Sequence, residues 1–237
     1  MSGALSAGFT PAQRTQCALL ISGSPVGTSP ELLQALAQQT VFTLAVDSGA
    51  NVAFAAEVAV DLIVGDLDSV NPATRNFYHA SKTPFLAAPA HKDETDLELA
   101  LAELQRRGFN ALVATNTQGG RLDHELASLG ALSRAQSLNP IVIEDDMTAI
   151  FLSAGNFGRD NLSLSSLFCE SESEDTLVSL LPLGGSAMVS TFGMKWELEG
   201  EILRQFDPRG ISNIVCSQNA SIKVESGTLL VIIPRVA

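Results

Sequence analysis

Up to about Glu144 the chain alternates short apolar runs with amphipathic stretches, and after Glu144 it changes to β-rich runs broken by Gly, Pro, Ser and Asn. The first pattern is that of βα units around a mostly parallel sheet, and the second is that of an antiparallel β domain. The expected architecture is therefore an α/β domain with a mostly parallel sheet over residues 1–145, followed by an antiparallel all-β domain over 146–237.

The strands expected in the first part are Ala18 to Ile21, Val41 to Val46, Leu62 to Val64, Phe85 to Ala88, Ala111 to Ala114 and Ile141 to Glu144. Ser29 and Pro30 have the chemistry of an N-cap and first helical residue, with Leu32, Leu33, Leu36 and Ala37 on one face. Thr95 and Glu98 form a T-x-x-E capping box ahead of Leu97, Ala100, Leu101 and Leu104 at helical spacing, which places Asp96 in a first helical turn. In the second part, Thr176 to Leu181, Ala187 to Phe192 and Leu229 to Ile233 read as strands. The segment from Gly155 to Asp175, with its acidic ESESED, reads as an exposed loop or hairpin tip.

In an open α/β sheet ligands bind at the carboxyl ends of the strands, so polar residues just after the apolar runs are the first candidates. Asp47 and Asn51 in VDSGAN, Asp66 and Asp68 in GDLDS, and TQGGRLDH with Arg121, Asp123 and His124 all qualify, and HKDETD brings Lys92, Asp93 and Asp96 to the capped helix. Two carboxylates ~5 Å apart repel by roughly 3 kcal/mol at an effective dielectric of 20, a cost that a hard divalent cation reverses. Magnesium takes oxygen ligands and is usually held by one or two carboxylates together with substrate phosphates, which suits Asp66 and Asp68. Read singly, GDLDS is equally a solvated turn, the acids of KDETD compensate a helix dipole, and GGRLDH is a glycine turn ahead of a helix. Lys92 suits a phosphate as a point charge and Arg121 suits it as a bidentate fork. The lone Trp196 sits among strand residues, which favours a core position.

A formal charge of -12 disfavours a nucleic-acid surface. Cys17, Cys169 and Cys216 lie far apart without metal or disulfide spacing, so a reducing cytoplasmic setting is expected. No apolar run approaches the ~20 residues of a membrane span, so no membrane partner is expected. Neither GxxxxGK[ST] nor GxSxG occurs.

Taken together and in order, VDSGAN, DLIVGDLDSV, KDETDLELAL and TQGGRLDHELASL resemble the thiamine pyrophosphokinases, and FGMKWEL, GISN and KVESGTLLVIIP resemble that family's C-terminal region. The resemblance implies transfer of the diphosphoryl group of ATP to the thiamine hydroxyl, giving AMP and thiamine diphosphate. It also implies magnesium, an α/β catalytic domain followed by a C-terminal β-sandwich, and a homodimer whose active sites lie in clefts to which both subunits contribute. Asp66, Asp68 and Asp96 correspond to the acids that serve magnesium and triphosphate. Asp47, Asn51, Lys92, Asp93, Arg121, Asp123 and His124 fall on motif positions of the same site, and Asp93, Asp96 and Asp123 are the acids available to take the hydroxyl proton. Ser212 and Asn213 are candidates for thiamine. Ser48 stands where the family motif usually carries a second glycine, and the insert around Glu170 to Asp175 has no counterpart in the pattern. The rival readings are a pyrophosphokinase for another hydroxymethyl heterocycle such as a pterin, an Asp66 phosphatase, and a noncatalytic nucleotide or thiamine sensor.

Overall fold

The structure is a computed structural model that describes residues 13, 15–87, 94–155, 158–164 and 176–235. The chain divides into two compact units, one running to Leu138 and including Val142–Asp145, the other comprising Asn139–Ile141 and the chain from Asp146.

In the first unit the strands are β1 (Cys17–Ile21), β2 (Phe42–Val46), β3 (Leu62–Gly65), β4 (Phe85–Ala87) and β5 (Ala111–Thr115), joined in the order β5-β1-β2-β3-β4. Every pairing among them is parallel, with Ala18 opposite Phe42 and Leu112. β1 and β5 are buried along their whole length, because strands covered on both faces have no reason to alternate apolar and polar residues. β6 (Pro140–Ile143) follows β5 in the sheet order.

The crossovers are α1 (Pro30–Ala37), α2 (Gly49–Ala55), α3 (Pro72–Ala80) and α4 (Asp96–Arg106), and α5 (Leu122–Arg134) follows β5. Ser29 caps α1, its side chain accepting from the Leu32 N–H. Thr95 and Glu98 close the expected capping box of α4, which buries Leu97, Ala100, Leu101 and Leu104. Two helices were not expected: α2 begins where VDSGAN read as a turn, and α3 buries only Thr74 and Tyr78.

The second unit is antiparallel. β7 (Met147–Ser153), β9 (Leu177–Pro182), β12 (Asn213–Ile214) and β14 (Thr228–Pro234) pair in the order β12-β9-β14-β7. β8 (Asn161–Ser163), β10 (Ser186–Phe192), β11 (Glu201–Arg204) and β13 (Ser221–Ser226) form a second sheet, β11-β10-β13-β8. Strict alternation of buried residues along β10 marks a sheet covered on one face. Part of the expected 155–175 loop is therefore strand, since Leu162 of β8 is buried against β13, and residues 165–175 lie outside the described ones. Trp196 is a further correction: it is 55% exposed and not in the core, with Lys195 Nζ 4.9 Å from its ring centroid.

Candidate active site

A cavity of about 650 Å³ opens in the first unit at the carboxyl ends of β1, β2 and β5. Its walls are the loop after β1 (Ser22 to Pro25), the turn after β2 (Asp47, Ser48), Asp68 and Ser69 after β3, the start of α4 (Thr95, Asp96) and the turn from β5 into α5. That last segment contributes Gly119, Gly120, Arg121, His124 and Glu125. Two helix N-termini, whose first N–H groups lack intrahelical acceptors, thus face one space together with glycine-rich backbone.

Asp47 is the most perturbed acid. It directly follows β2 in a left-handed conformation, φ 46°, and its Oδ1 is buried without a hydrogen-bond partner. Burial pushes its carboxyl up to about 7, helped by the charge of Asp96 and a hydrogen bond shared with it, and by the charges of Asp66 and Asp68. A buried carboxylate oxygen lacking a donor, with three more acids in electrostatic reach, is chemistry that a hard cation relieves. Among the described residues no three acids or histidines converge closely enough to make a metal cage by themselves. Magnesium held by one or two carboxylates, with phosphate oxygens completing the shell, does not require such a cage.

The GDLDS loop is held from behind. Asp66 Oδ1 accepts from the Asp68 N–H at 3.0 Å, and Leu67 between them has φ 65°. Asn51 of α2 donates to the Ser69 carbonyl at 3.1 Å and accepts from the Asn71 N–H at 3.0 Å. An Arg75 Nη2 donates to the Leu67 carbonyl. Asn51 is thus spent on the loop, and neither it nor Asp66 is in the cavity lining, whereas Asp68 is.

Ser48, at the position where the motif usually has glycine, does not use its hydroxyl as a helix cap; it donates to the Gly23 carbonyl at 3.0 Å and ties the β2 turn to the β1 loop. Arg121 is at the N-cap of α5, exposed, and forked onto Asp123 with Nη2–Oδ2 2.6 Å and Nε–Oδ1 3.1 Å. The guanidinium holds the Asp123 carboxyl below its usual range. Of the three acids considered for the hydroxyl proton, Asp96 lines the cavity, Asp123 is paired with Arg121, and Asp93 lies outside the described residues, as does Lys92.

Ser212 and Asn213 belong to the second unit. Asn213 is buried; its Oδ1 accepts from the Trp196 N–H at 3.1 Å and its Nδ2 donates to the Trp196 carbonyl at 2.7 Å, so its amide holds the Trp196 segment. Ser212 is exposed, with φ 58°.

Several contributors were missed from sequence. Ser22 to Pro25 follow β1 as directly as the chosen residues follow their strands, so the same positional rule finds them. Glu125 accepts from the Gly119 N–H at 2.7 Å and steadies the double glycine.

Two family models match the chain in succession: thiamin pyrophosphokinase, catalytic domain, over residues 33–143, and thiamin pyrophosphokinase, vitamin B1 binding domain, over residues 166–229. Among curated relatives, Thiamine pyrophosphokinase 1 of Arabidopsis thaliana is 26% identical over 176 residues, 71% of this chain and 63% of the relative. Thiamine pyrophosphokinase 2 of Oryza sativa subsp. japonica is 24% identical over 176 residues, again 71% and 63%. The match thus spans less than two thirds of the length of these relatives. Among solved structures, the fold is similar to thiamine pyrophosphokinase from Bacillus subtilis (TM-score 0.77, 19% identity, 93% of this chain and 100% of that one). It is also similar to the yeast enzyme (TM-score 0.75, 14% identity, 97% of this chain and 88% of that one). With both domain models matched in order and the same fold, this chain belongs to the thiamin pyrophosphokinase family.

Proposed function

We propose that the chain is a magnesium-dependent thiamine pyrophosphokinase that moves the diphosphoryl group of ATP onto the thiamine hydroxyl, releasing AMP. The observation that carries this is the cavity at the strand ends, where Asp47, Asp68 and Asp96 share one space with glycine-rich turns and two helix starts. Such a wall suits a triphosphate and its cation, and the family's named vitamin B1 binding domain supplies the second substrate by analogy.

In this reading the hydroxyl oxygen attacks the β-phosphorus in line, the bond from that phosphorus to the α-phosphate oxygen breaks, and AMP leaves. The chemistry asks the protein for positioning and charge neutralisation, with no covalent intermediate. Asp68 and Asp96, which line the cavity, would hold magnesium together with Asp66, assigned to it by motif, and the ion would offset phosphate charge. Arg121 presents a guanidinium to the phosphates, His124 and the Gly119–Gly120 backbone line their path, and Lys92 belongs to the same assignment by motif. The α/β domain carries ATP; the β domain, with Ser212 and Asn213, carries thiamine.

A homodimer is part of the proposal. Its support is the exposed apolar set Phe192, Trp196, Ile202 and Phe206 in the second unit. A cytoplasmic setting fits cysteines without disulfide spacing; no helix among the described residues is long and apolar enough to cross a membrane.

The test is to incubate purified protein with ATP, magnesium and thiamine and to separate the products. Thiamine diphosphate and AMP are expected in equal amounts. ADP in place of AMP overturns diphosphoryl transfer, and turnover of a hydroxymethyl pterin without turnover of thiamine overturns the substrate.

A further inference from the structure

Glu144 stands directly after β6 with 7% of its surface exposed, and it does not line the cavity. Its Oε1 accepts from the Thr117 N–H at 2.7 Å and the Thr117 hydroxyl at 2.8 Å. Its Oε2 accepts from the Asn116 N–H at 3.0 Å and lies 3.2 Å from the Thr28 hydroxyl, which donates to it. Asn116 continues the chain of contacts, accepting from the Thr28 N–H at 3.1 Å and donating to the carbonyls of Ser22 at 2.6 Å and Ser24 at 3.1 Å. One buried carboxylate is therefore bonded to both segments that leave the carboxyl ends of β1 and β5.

Both segments line the cavity, and they lock to each other again further out. The Ser24 hydroxyl reaches the carbonyls of Gln118 and Gly119, while the Pro25 and Val26 side chains fill the space over Gly120 and Gly119. Burying a carboxylate is costly unless donors surround it, and here burial pushes the Glu144 carboxyl up against the opposing pull of those donors. An amide cannot replace it, because one of its two ends would turn an N–H toward an N–H or a hydroxyl that needs an acceptor.

We propose that Glu144 is a positioning residue for the nucleotide, fixing the spacing of the β1 and β5 loops so that together they fit a nucleoside triphosphate. The proposal rests on reading the cavity as the ATP site and adds to it a residue outside the family's motif positions.

Glu144→Gln is expected to raise KM for ATP about 10-fold, the equivalent of one lost buried hydrogen bond. KM for thiamine and kcat at saturating ATP are expected to stay within about 2-fold of wild type, since neither depends on the loop spacing once ATP is bound. In the free protein, amide hydrogen exchange at Asn116 and Thr117 should rise about 10-fold while β1 and β5 stay protected. If Glu144→Gln does not fold, Thr28→Val removes one donor and keeps the carboxylate, and a rise of about 3-fold in the same two readouts is expected. Unchanged ATP KM with unchanged loop exchange overturns the proposal. So does a parallel rise of both KM values with exchange accelerated throughout the chain, the mark of general destabilisation. A wild-type chain that neither turns over thiamine nor binds magnesium ATP by calorimetry overturns the ATP reading instead. The exchange comparison, made without ligand, separates that failure from failure of Glu144 to order the loops.

Discussion

The Asp47 carboxyl fills the space that any side chain on residue 65 would need. Gly65 ends β3 with φ +136°, and a Cβ built there would overlap Asp47 Oδ1. Two strand ends are thereby brought together with an acid of one pressed onto the bare backbone of the other. Gly65→Ala adds a strained backbone angle to a steric overlap, and about 3 kcal/mol of destabilisation is expected from the two together. Urea denaturation measures it; a loss under about 0.5 kcal/mol, the range of neutral surface changes, would mean that the contact yields easily.

Asp47 also makes stability depend on pH. Its carboxyl lies at about 7 against an ordinary 3.8, so between these values the native state holds a proton that the unfolded chain has released. Stability therefore falls as pH rises through that window. Asp47→Asn should match wild type only below about pH 4, exceed it by a part of the full gain near pH 5 and by the whole of it near pH 8. The full shift is worth at most ~4 kcal/mol, and solvent at an open site brings the expected gain nearer ~2 kcal/mol. Urea midpoints at the two pH values, measured with a chelator present, decide it: an equal difference at both would remove Asp47 as the source.

Asp66 and Asp68 separate chemistry from folding. Asp66→Asn keeps an Oδ1 to accept the Asp68 N–H, and the Asn51 and Arg75 clamps are untouched by either asparagine. Each variant is expected to lose at least ~100-fold in kcat, the scale of removing a group that neutralises transferring phosphate. Unfolding midpoints should not fall. Near-normal turnover in both would defeat the assignment of magnesium to this loop.

The strands were legible because buried parallel strands are continuous apolar runs, and α1 and α4 because their caps and apolar stripes agree. α3 escaped notice because burying only Thr74 and Tyr78 leaves no stripe, and seven-residue α2 is too short to show one. At the site, position after a strand marked Asp47, Asp68 and the GGR turn. What it could not convey is direction: Asn51 faces its loop rather than the cavity. Glu144 read as the last residue of a strand, since bonds to Thr28 and Thr117 span 116 and 27 residues of sequence.

Ser212 and Asn213 are neighbours with different expected defects. Asn213→Ala leaves the Trp196 N–H and carbonyl without these partners in a partly buried setting, which is expected to cost about 1 kcal/mol. Ser212 is exposed, so Ser212→Ala should leave stability within about 0.5 kcal/mol. If its hydroxyl meets thiamine, KM for thiamine should nevertheless rise about 5-fold, the effect of one hydrogen bond to a neutral group. Urea denaturation and steady-state kinetics on both variants resolve the pair. A stable Asn213→Ala would show that the Trp196 segment is held by other contacts, and an unchanged thiamine KM in Ser212→Ala would remove that hydroxyl from the substrate site.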